Sequence, residues 1–525
     1  MNEKKRYWKL VKESKATIIA LSFLSCLSSL VVVSFAFLSK FLLNNIGNDS
    51  FKWFAIAMGG CIVLEVVIKL GMNVYYADAK AKLENKIRKG IFSSFLKNSY
   101  STIDSKSGGD WLNRITSDSK VIADGVIAYL PNFISLSFRI ALSFAVLCYV
   151  NWIFALILLG LGLIAYAASR ILRPHSKALH KDSQEQEGEV LSFYKDSINN
   201  AFLLKLFSRS DKISEQCDAI QDKYAKAKVR FARFSIFINT GFTFFMRLSY
   251  LGAIIYASIL IANSGATTGF GDLLVMIQLI SQIEGPFSSL SGLLPKYYQT
   301  LGSIERVMEY EADSPSDRTL VSSVSTIILD NLTFGYGEDN IINNLSFTIS
   351  KGDFILIGGP SGKGKTTLLK LIMGAYTPKE GSVKIDGKDA SKIDGLFAYV
   401  PQGNYLLPTT IKENLTLFSN PTDEEIHKAL EIVFLKSKVD SLKDGINTKL
   451  HDLGNGLSEG EGQRLSIARA ILSNRDVIIL DECTSALDEE TANKVLSNLK
   501  GLNKTIIMVS HKGESEKYAT KVLKL

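Results

Sequence analysis

The chain has 525 residues, 46% of them apolar and 21% charged, with a formal net charge of +8 and a mean hydropathy of +0.14. That length requires two to four domains rather than one small module, and the composition excludes a disordered or collagen-like chain. The charge is uneven: residues 1–322 carry 36 Lys and Arg against 26 Asp and Glu, whereas residues 323–525 carry 24 against 26. A basic excess that accompanies apolar segments marks the cytoplasmic loops of a membrane protein; nucleic-acid binding would need a basic face on a soluble fold and is not expected. The five cysteines, Cys26, Cys61, Cys148, Cys217 and Cys483, form no CxxC pair and read as buried or lipid-facing thiols.

A basic N-terminal stretch leads into an uncharged run from Ala16 to Ser39. The run is too long for a signal-peptide core and has no clear small-x-small cleavage site, but it exceeds the roughly 20 residues that cross a bilayer. It is predicted to be the first membrane helix. Further apolar runs at 51–76, 129–150, 153–171, 234–262 and 273–294 bring the predicted spans to six. The third and fourth are separated only by Asn151-Trp152, a tight hairpin with an interfacial tryptophan. The short connections 44–50, 151–152 and 263–272 contain no Lys or Arg, whereas 78–124 and 170–233 are long and rich in charge. Both termini and both long loops are therefore expected in the cytoplasm. Periodic apolar residues at Ile87, Ile91, Phe92, Phe95 and Leu96 predict helices that continue beyond the bilayer.

Residues 303–325 form a charged, Ser-rich connector. After it, short apolar runs at 327–330, 344–349, 353–357, 383–385, 477–480 and 505–509 are mostly separated by helical stretches, an α/β pattern. The expected organisation is an all-α polytopic membrane domain of six long helices over 1–302, a connector over 303–325, and an α/β P-loop ATPase domain over 326–525.

Within the last of these, Gly359-Pro360-Ser361-Gly362-Lys363-Gly364-Lys365-Thr366 fits G-x-x-x-x-G-K-[ST] between a strand-like and a helical segment, the context of a phosphate-binding loop. Glycines let backbone N–H groups converge on phosphate oxygens, and the following helix, starting near Thr367, adds positive partial charge. Lys365 is placed to reach the terminal phosphates and Thr366 to offer its hydroxyl to Mg²⁺. Val477-Ile478-Ile479-Leu480-Asp481-Glu482 is an apolar strand ending in two acids. Asp481 is placed to hold Mg²⁺ through water, and Glu482 to polarise the attacking water.

Between these two motifs, Leu457-Ser458-Glu459-Gly460-Glu461-Gly462-Gln463-Arg464 resembles the signature sequence of ATP-binding cassette (ABC) transporters. Tyr336 resembles the adenine-stacking aromatic of that family, Gln402 the Q-loop glutamine that also reaches the metal, Ser485-Ala486-Leu487-Asp488 the D-loop, and His511 the switch histidine. Six spans ahead of one cassette is the layout of an exporter-type half-transporter. The resemblance implies that ATP lies on Gly359, Ser361, Gly362, Lys363, Gly364, Lys365, Thr366 and Thr367 of one subunit, with Ser458, Gly460 and Glu461 closing from the other. Catalysis would rest on Lys365, Glu482 and His511, and Mg²⁺ on Thr366, Gln402 and Asp481. The signature departs from its commonest form at Glu459 and Glu461, and the second substitution places an acid near the nucleotide, where like-charge repulsion would weaken closure. Cys483 stands where Pro or Ala is more usual and reads as packing. Gly109-Asp110-Trp111-Leu112-Asn113-Arg114, with Asp118, resembles the first cytoplasmic loop, whose short coupling helices touch the cassette; 201–210 takes the second such position.

Ionisable residues inside the predicted spans are Glu65, Lys69, Arg139, Arg247 and Glu284, with Gln278 and Gln282 beside the last. Glu65 and Lys69 are four apart and can neutralise each other on one helix face. The mixed signs hint at a polar or zwitterionic cargo such as a peptide. Sparse cysteines and the lack of an N-terminal extension argue against the peptidase-bearing subtype. The expected function is ATP-driven efflux of a peptide, drug-like or lipidic molecule by a dimer, homodimer favoured over heterodimer, in a plasma membrane, by composition a bacterial inner membrane. Lipid flipping or uptake on the same fold, and an ATP-gated or regulatory role without pumping, are the alternatives; intact Glu482 and His511 speak against the last.

Overall fold

The computed structural model describes residues 2–525 apart from 105, 107, 265–268, 310–317, 338, 361, 404, 418, 451–455 and 511–512. Its contacts separate two compact units, Met1–Phe92 with Leu112–Glu309, and Ser93–Trp111 with Tyr310–Leu525. The helices of the first half, in chain order, are α1 (Glu3–Glu13), α2 (Lys15–Asn44), α3 (Ser50–Lys97), α4 (Tyr100–Asp104), α5 (Gly108–Asn113), a π-helical turn (Arg114–Asp118), α6 (Ser119–Val150), α7 (Trp152–Asn199), α8 (Ala201–Leu206), α9 (Ser210–Ser264) and α10 (Gly269–Met308).

Six of these, α2, α3, α6, α7, α9 and α10, have 30 residues or more, and each contains one of the predicted apolar runs. With 48 residues in α3 and α7 and 55 in α9, these helices reach roughly 70 to 80 Å, more than twice the ~30 Å hydrocarbon core. Among the described residues, Lys15–Asn44, Ser50–Lys97 and Gly108–Val150 are long and apolar enough to cross a membrane. On α3, Ile56, Val63, Val67, Leu70 and Val74 are exposed, as side chains facing lipid would be. Asn151 makes the predicted hairpin by capping α7: its Oδ1 accepts from the Phe154 N–H at 2.9 Å, while its Nδ2 donates to the Tyr256 hydroxyl at 3.0 Å.

Ala123, Val126 and Ile127 of α6 pack against Leu301 and Ile304 of α10 and Tyr7 of α1. A second cluster joins Val33 of α2, Leu147 of α6, Phe154 of α7 and Leu279 and Ile280 of α10. Buried serines line α2; the hydroxyls of Ser22 and Ser29 donate one turn back, to the carbonyls of Ile18 and Ser25, at 2.7 and 3.0 Å. Small side chains satisfied by their own helix let membrane helices approach closely.

The connector expected from residue 303 begins instead as helix, because α10 runs on to Met308. The reason is an ion pair. Arg306 Nη2 lies 2.5 Å from Asp118 Oδ1 and its Nε donates to Oδ2 at 3.2 Å, a two-point contact to a carboxylate only 2% exposed. Nη2 also donates to Ser303 Oγ at 2.9 Å.

In the second unit, β1 (Thr319–Leu320), β2 (Thr326–Phe334), β3 (Ile342–Ser350), β4 (Phe354–Gly358), β5 (Glu380–Ile385), β6 (Lys388–Asp389), β7 (Ile393–Asp394), β8 (Phe397–Val400), β9 (Val477–Asp481), β10 (Thr505–Val509) and β11 (Lys521–Lys524) are accompanied by α11 (Lys365–Ile372), α12 (Ile411–Thr416), α13 (Asp423–Ile432), α14 (Lys436–Ser441), α15 (Glu459–Leu472) and α16 (Glu489–Lys500). A parallel sheet runs in the order β11-β4-β10-β9-β8, and an antiparallel one in the order β3-β2-β5-β6. Every residue of β9 and β10 is buried, which is why both read as unbroken apolar runs. The parallel strands β8 and β11 lie outside the sequence expectation: both are four-residue edge strands, and β11 begins and ends in lysine.

Arg306→Ala leaves the Asp118 carboxylate buried without its cation. A loss of about 2 kcal/mol is expected, read as a fall of roughly 2–4 °C in the Tm of the detergent-solubilised chain. An unchanged Tm would show that the pair carries no stability.

Candidate nucleotide site

The nucleotide site grows from the ends of two neighbouring strands. Four of the five residues of β4 are fully buried, and the chain then turns through Gly359, Gly362 and Gly364, with φ of 142°, 81° and 84°, into α11. The turn is closed to side chains at Gly364, where φ is left-handed and a Cβ would sit 2.5 Å from Ile341 Cγ2. Lys365, 6% exposed, folds back so that its Nζ donates to the carbonyls of Gly359 and Pro360, both at 3.0 Å. Its ammonium is thereby held over the loop it belongs to, while Lys363 is exposed. Ser361 and His511 lie outside the described residues.

Tyr336 packs edge-on against Phe334 and Tyr376, at 5.4 and 6.0 Å between ring centroids, and keeps 53% of its surface exposed. Its hydroxyl lies 3.4 Å from Thr367 Oγ1, which joins the aromatic to the phosphate loop. An aromatic ring with one open side is what a flat base stacks on.

Asp481 ends β9 and is 1% exposed. The Tyr399 hydroxyl donates to its Oδ2 at 3.1 Å; Oδ1 is buried with no hydrogen-bond partner among the described residues. Burial raises the Asp481 carboxyl above the ordinary aspartate range and the neighbouring charge of Glu482 adds to this, while the hydroxyls of Thr366 and Tyr399 pull it back. A buried carboxylate oxygen without a hydrogen-bond partner, a threonine hydroxyl alongside and the Gln402 side chain nearby make an oxygen-rich donor set suited to a hard divalent cation.

Glu482 takes left-handed backbone, φ 50°, a costly conformation for a non-glycine residue and one that gathers at functional sites. It is held there by its N–H, which donates to the Val509 carbonyl at 3.1 Å. Gln402 Nε2 donates to Glu482 Oε2 at 3.0 Å, so two residues 80 apart in sequence meet. Cys483, next in the chain, is wholly buried, and burial pushes its thiol up to about 12; it is a packed side chain, as expected.

The signature segment forms a second cluster. Ser458 caps α15 in a capping box: the Glu461 N–H donates to Ser458 Oγ at 3.3 Å, and the Ser458 N–H donates to Glu461 Oε2 at 2.7 Å. Glu461 Oε1 also lies 3.3 Å from Lys438 Nζ. Burial alone would raise the Glu461 carboxyl, but the Ser458 N–H and Lys438 outweigh it and hold the carboxyl below the ordinary range. Within the chain the charge of Glu461 is met by a backbone donor and a lysine. Gly460 lies so close to the turn after Glu482 that a Cβ would meet the Ala486 carbonyl oxygen at 2.7 Å. Gln463, which sequence reasoning passed over, ties the two segments: its Nε2 donates to Ser485 Oγ and its Oε1 accepts from the Ala486 N–H, both at 3.2 Å. Among the described residues no hydrogen bond joins Ser458–Glu461 to the phosphate loop, so one chain brings together Tyr336, the loop, Gln402, Asp481 and Glu482 but leaves Ser458 and Gly460 apart.

In the first loop α4 meets the cassette: Asp104 accepts from the Tyr376 hydroxyl and pairs with Lys370 at 3.4 Å, and Tyr100 lies edge-on to Tyr376. Leu112 and the residues after it belong to the other unit, where Asp118 is taken by Arg306.

Glu461→Ala removes the capping box and is expected to cost about 1 kcal/mol, whereas Glu461→Gln keeps an acceptor and costs less than about 0.5 kcal/mol. Thermal unfolding of the full chain at pH 7 checks both. Because the folded carboxyl is lowered, the difference between wild type and Glu461→Gln is present above the ordinary glutamate range and vanishes as pH falls through the lowered value.

Two family profiles match: "ABC transporter transmembrane region" over residues 16–287 and "ABC transporter" over residues 342–485. A probable ABC transporter ATP-binding/permease protein of Haemophilus influenzae is 31% identical over 453 residues, 82% of this chain and 80% of its own length. An ATP-dependent lipid A-core flippase of Desulfotalea psychrophila is 28% identical, over 93% of this chain and 88% of its own length. A mitochondrial iron-sulfur clusters transporter, ATM1, of Yarrowia lipolytica is 28% identical, over 84% of this chain and 64% of its own length. In fold the chain is similar to a bacterial Atm1-family ABC exporter solved with ATP bound, with a TM-score of 0.82 at 21% identity over 98% of this chain and 93% of the other. The chain belongs to the ABC transporter family: it is a multi-pass membrane half-transporter of exporter architecture, working as a dimer, whose cassette binds ATP and couples its hydrolysis to transport.

Proposed function

We propose that two copies of this chain form an exporter that moves cargo out of a bacterial cytoplasm, with both termini on the cytoplasmic side of the inner membrane. The observation that carries the reading is the Gln402–Glu482–Asp481 arrangement at the end of β9, where a strained, hydrogen-bonded glutamate stands beside a buried aspartate. A site that only gated a pore has no need for that strain. Division of labour follows from position: the membrane helices, through Met308, carry cargo, and the cassette, from Thr326, carries ATP.

In the proposed mechanism Tyr336 stacks the base, and the loop N–H groups with Lys365 and Thr367 hold the phosphates. Lys363 adds a second positive charge at the mouth of the loop. Thr366, Asp481 and Gln402 would hold Mg²⁺, which when bound would supply charge neutralisation for the phosphates. Glu482 orients the attacking water and accepts its proton, with Gln402 fixing the carboxylate; His511 contacts the terminal phosphate. Ser458 and Gly460 of a second copy complete the site, which is why one chain holds them apart from its own loop. Catalysis is positioning plus electrostatics on groups set before ATP arrives.

Glu482→Gln is expected to lower ATPase activity of the purified chain in lipid vesicles by about 10²- to 10³-fold while ATP affinity is kept. Retained hydrolysis would remove Glu482 from the proposed role. Turnover by the wild-type chain alone supports two copies; an ATP-binding but silent wild type would point to a different second subunit.

A further inference from the structure

The nucleotide chemistry leaves unexplained a cluster of lysines in the membrane unit. A cavity of about 370 Å³ opens between α3, α6 and α10, and its ionic lining is Lys80, Lys120, Lys296 and Asp124. That volume lies within the range of small-ligand sites. Asp124 is already engaged: Lys80 Nζ and the Tyr76 hydroxyl both donate to its Oδ1, each at 2.6 Å. Lys120 and Lys296 are exposed and, among the described residues, close no ion pair of their own, although the Lys296 charge acts on Asp124 beyond ion-pair distance. Three lysines against one aspartate leave the cavity two positive charges in excess.

Their height in the molecule narrows the ligand. Lys80 stands four residues beyond the apolar run 51–76, Lys120 nine before 129–150, and Lys296 two beyond 273–294. All three therefore mark one membrane boundary, the side of the long charged loops. Lysines that merely snorkel from a lipid-facing surface need no concave site; these converge on one. Asn132 and Gln299 add neutral polar groups to the lining, and Val121, Tyr129 and Leu293 give it an apolar wall. Two exposed ammonium groups without a close ion pair, beside an apolar wall, suit a compact dianion on an apolar body, and lysine binds phosphate well as a point charge.

We propose that this cavity receives the phosphate monoester head of an amphiphilic cargo at the inner membrane surface. The proposal rests on the export reading above and names its substrate class. It replaces the zwitterionic cargo that the membrane-embedded charges hinted at: Glu65 and Lys69 close on each other at 2.5 Å, and Glu284 accepts from the Tyr250 hydroxyl at 3.4 Å. The phosphate could reach the site on a membrane lipid or on a water-soluble ester.

Native mass spectrometry of the full chain in detergent, without ATP, tests this with phosphatidic acid, phosphatidylcholine and glycerol 3-phosphate as probes. Phosphatidic acid should bind on the order of tenfold more tightly than phosphatidylcholine, and Lys120→Gln with Lys296→Gln should abolish that preference, while arginine at both positions keeps it. Displacement by glycerol 3-phosphate would assign a soluble ester as source; lipid binding that resists it would assign a membrane lipid. Equal binding of the two lipids, or a preference unchanged in the glutamine variant, would overturn the proposal. ATPase in neutral lipid is read in parallel. Loss of hydrolysis with lipid preference intact would sink the export reading alone, and the reverse pattern would sink the cavity proposal alone.

Discussion

Two carboxylates adjacent in sequence, Asp481 and Glu482, end a strand that is buried along its whole length, and the organisation of the nucleotide unit follows from keeping both there. Burying one charge beside another is unfavourable unless something of opposite sign or a hydrogen-bond donor compensates it. Tyr399 serves one oxygen of Asp481, and Gln402 steadies Glu482 from another part of the fold. The other Asp481 oxygen, Oδ1, is buried with no hydrogen-bond partner among the described residues. The protein holds an electrostatic deficit in the place where a cation and a phosphate chain would relieve it, so ligand binding is favoured by the sheet itself.

The membrane unit is built on different physics. Apolar surface gives no drive for helices to associate in lipid, so buried serines on α2 and interdigitated residues of α6 and α10 supply close packing instead. Charge in this unit is paired, as Glu65 is with Lys69 and Asp118 with Arg306, or gathered round a cavity, as the lysines are.

Much of this was legible from sequence because it is local. The phosphate loop, the acid pair after β9 and the signature segment are each set by neighbours in the chain, and the apolar runs place six long helices. What was not legible depends on residues far apart. Gln402 meets Glu482 across 80 positions, Lys438 meets Glu461 across 23, and Gln463 meets Ser485 across 22. No spacing rule encodes those distances. The contact made by α4 was not legible for the same reason: Tyr100-Ser-Thr-Ile-Asp104 has no distinctive pattern, and only the fold reveals Tyr376 opposite Asp104. The lysine that meets the signature acid lies 23 residues upstream, where no motif points to it.

Tyr376 touches two things at once. Its hydroxyl is bound by Asp104 of the loop helix, and its ring supports Tyr336, on which a base would stack. Thermodynamic linkage then runs in both directions. Any free energy by which a stacked base firms up the aromatic cluster is felt equally as a change in how tightly Asp104 is gripped, and a loop helix pulled from its seat lowers affinity for the base by the same factor. The aromatic trio thus joins the loop helix to the ring on which a base would stack, so that a bound purine, and not only the phosphate tail, would be coupled to the loop.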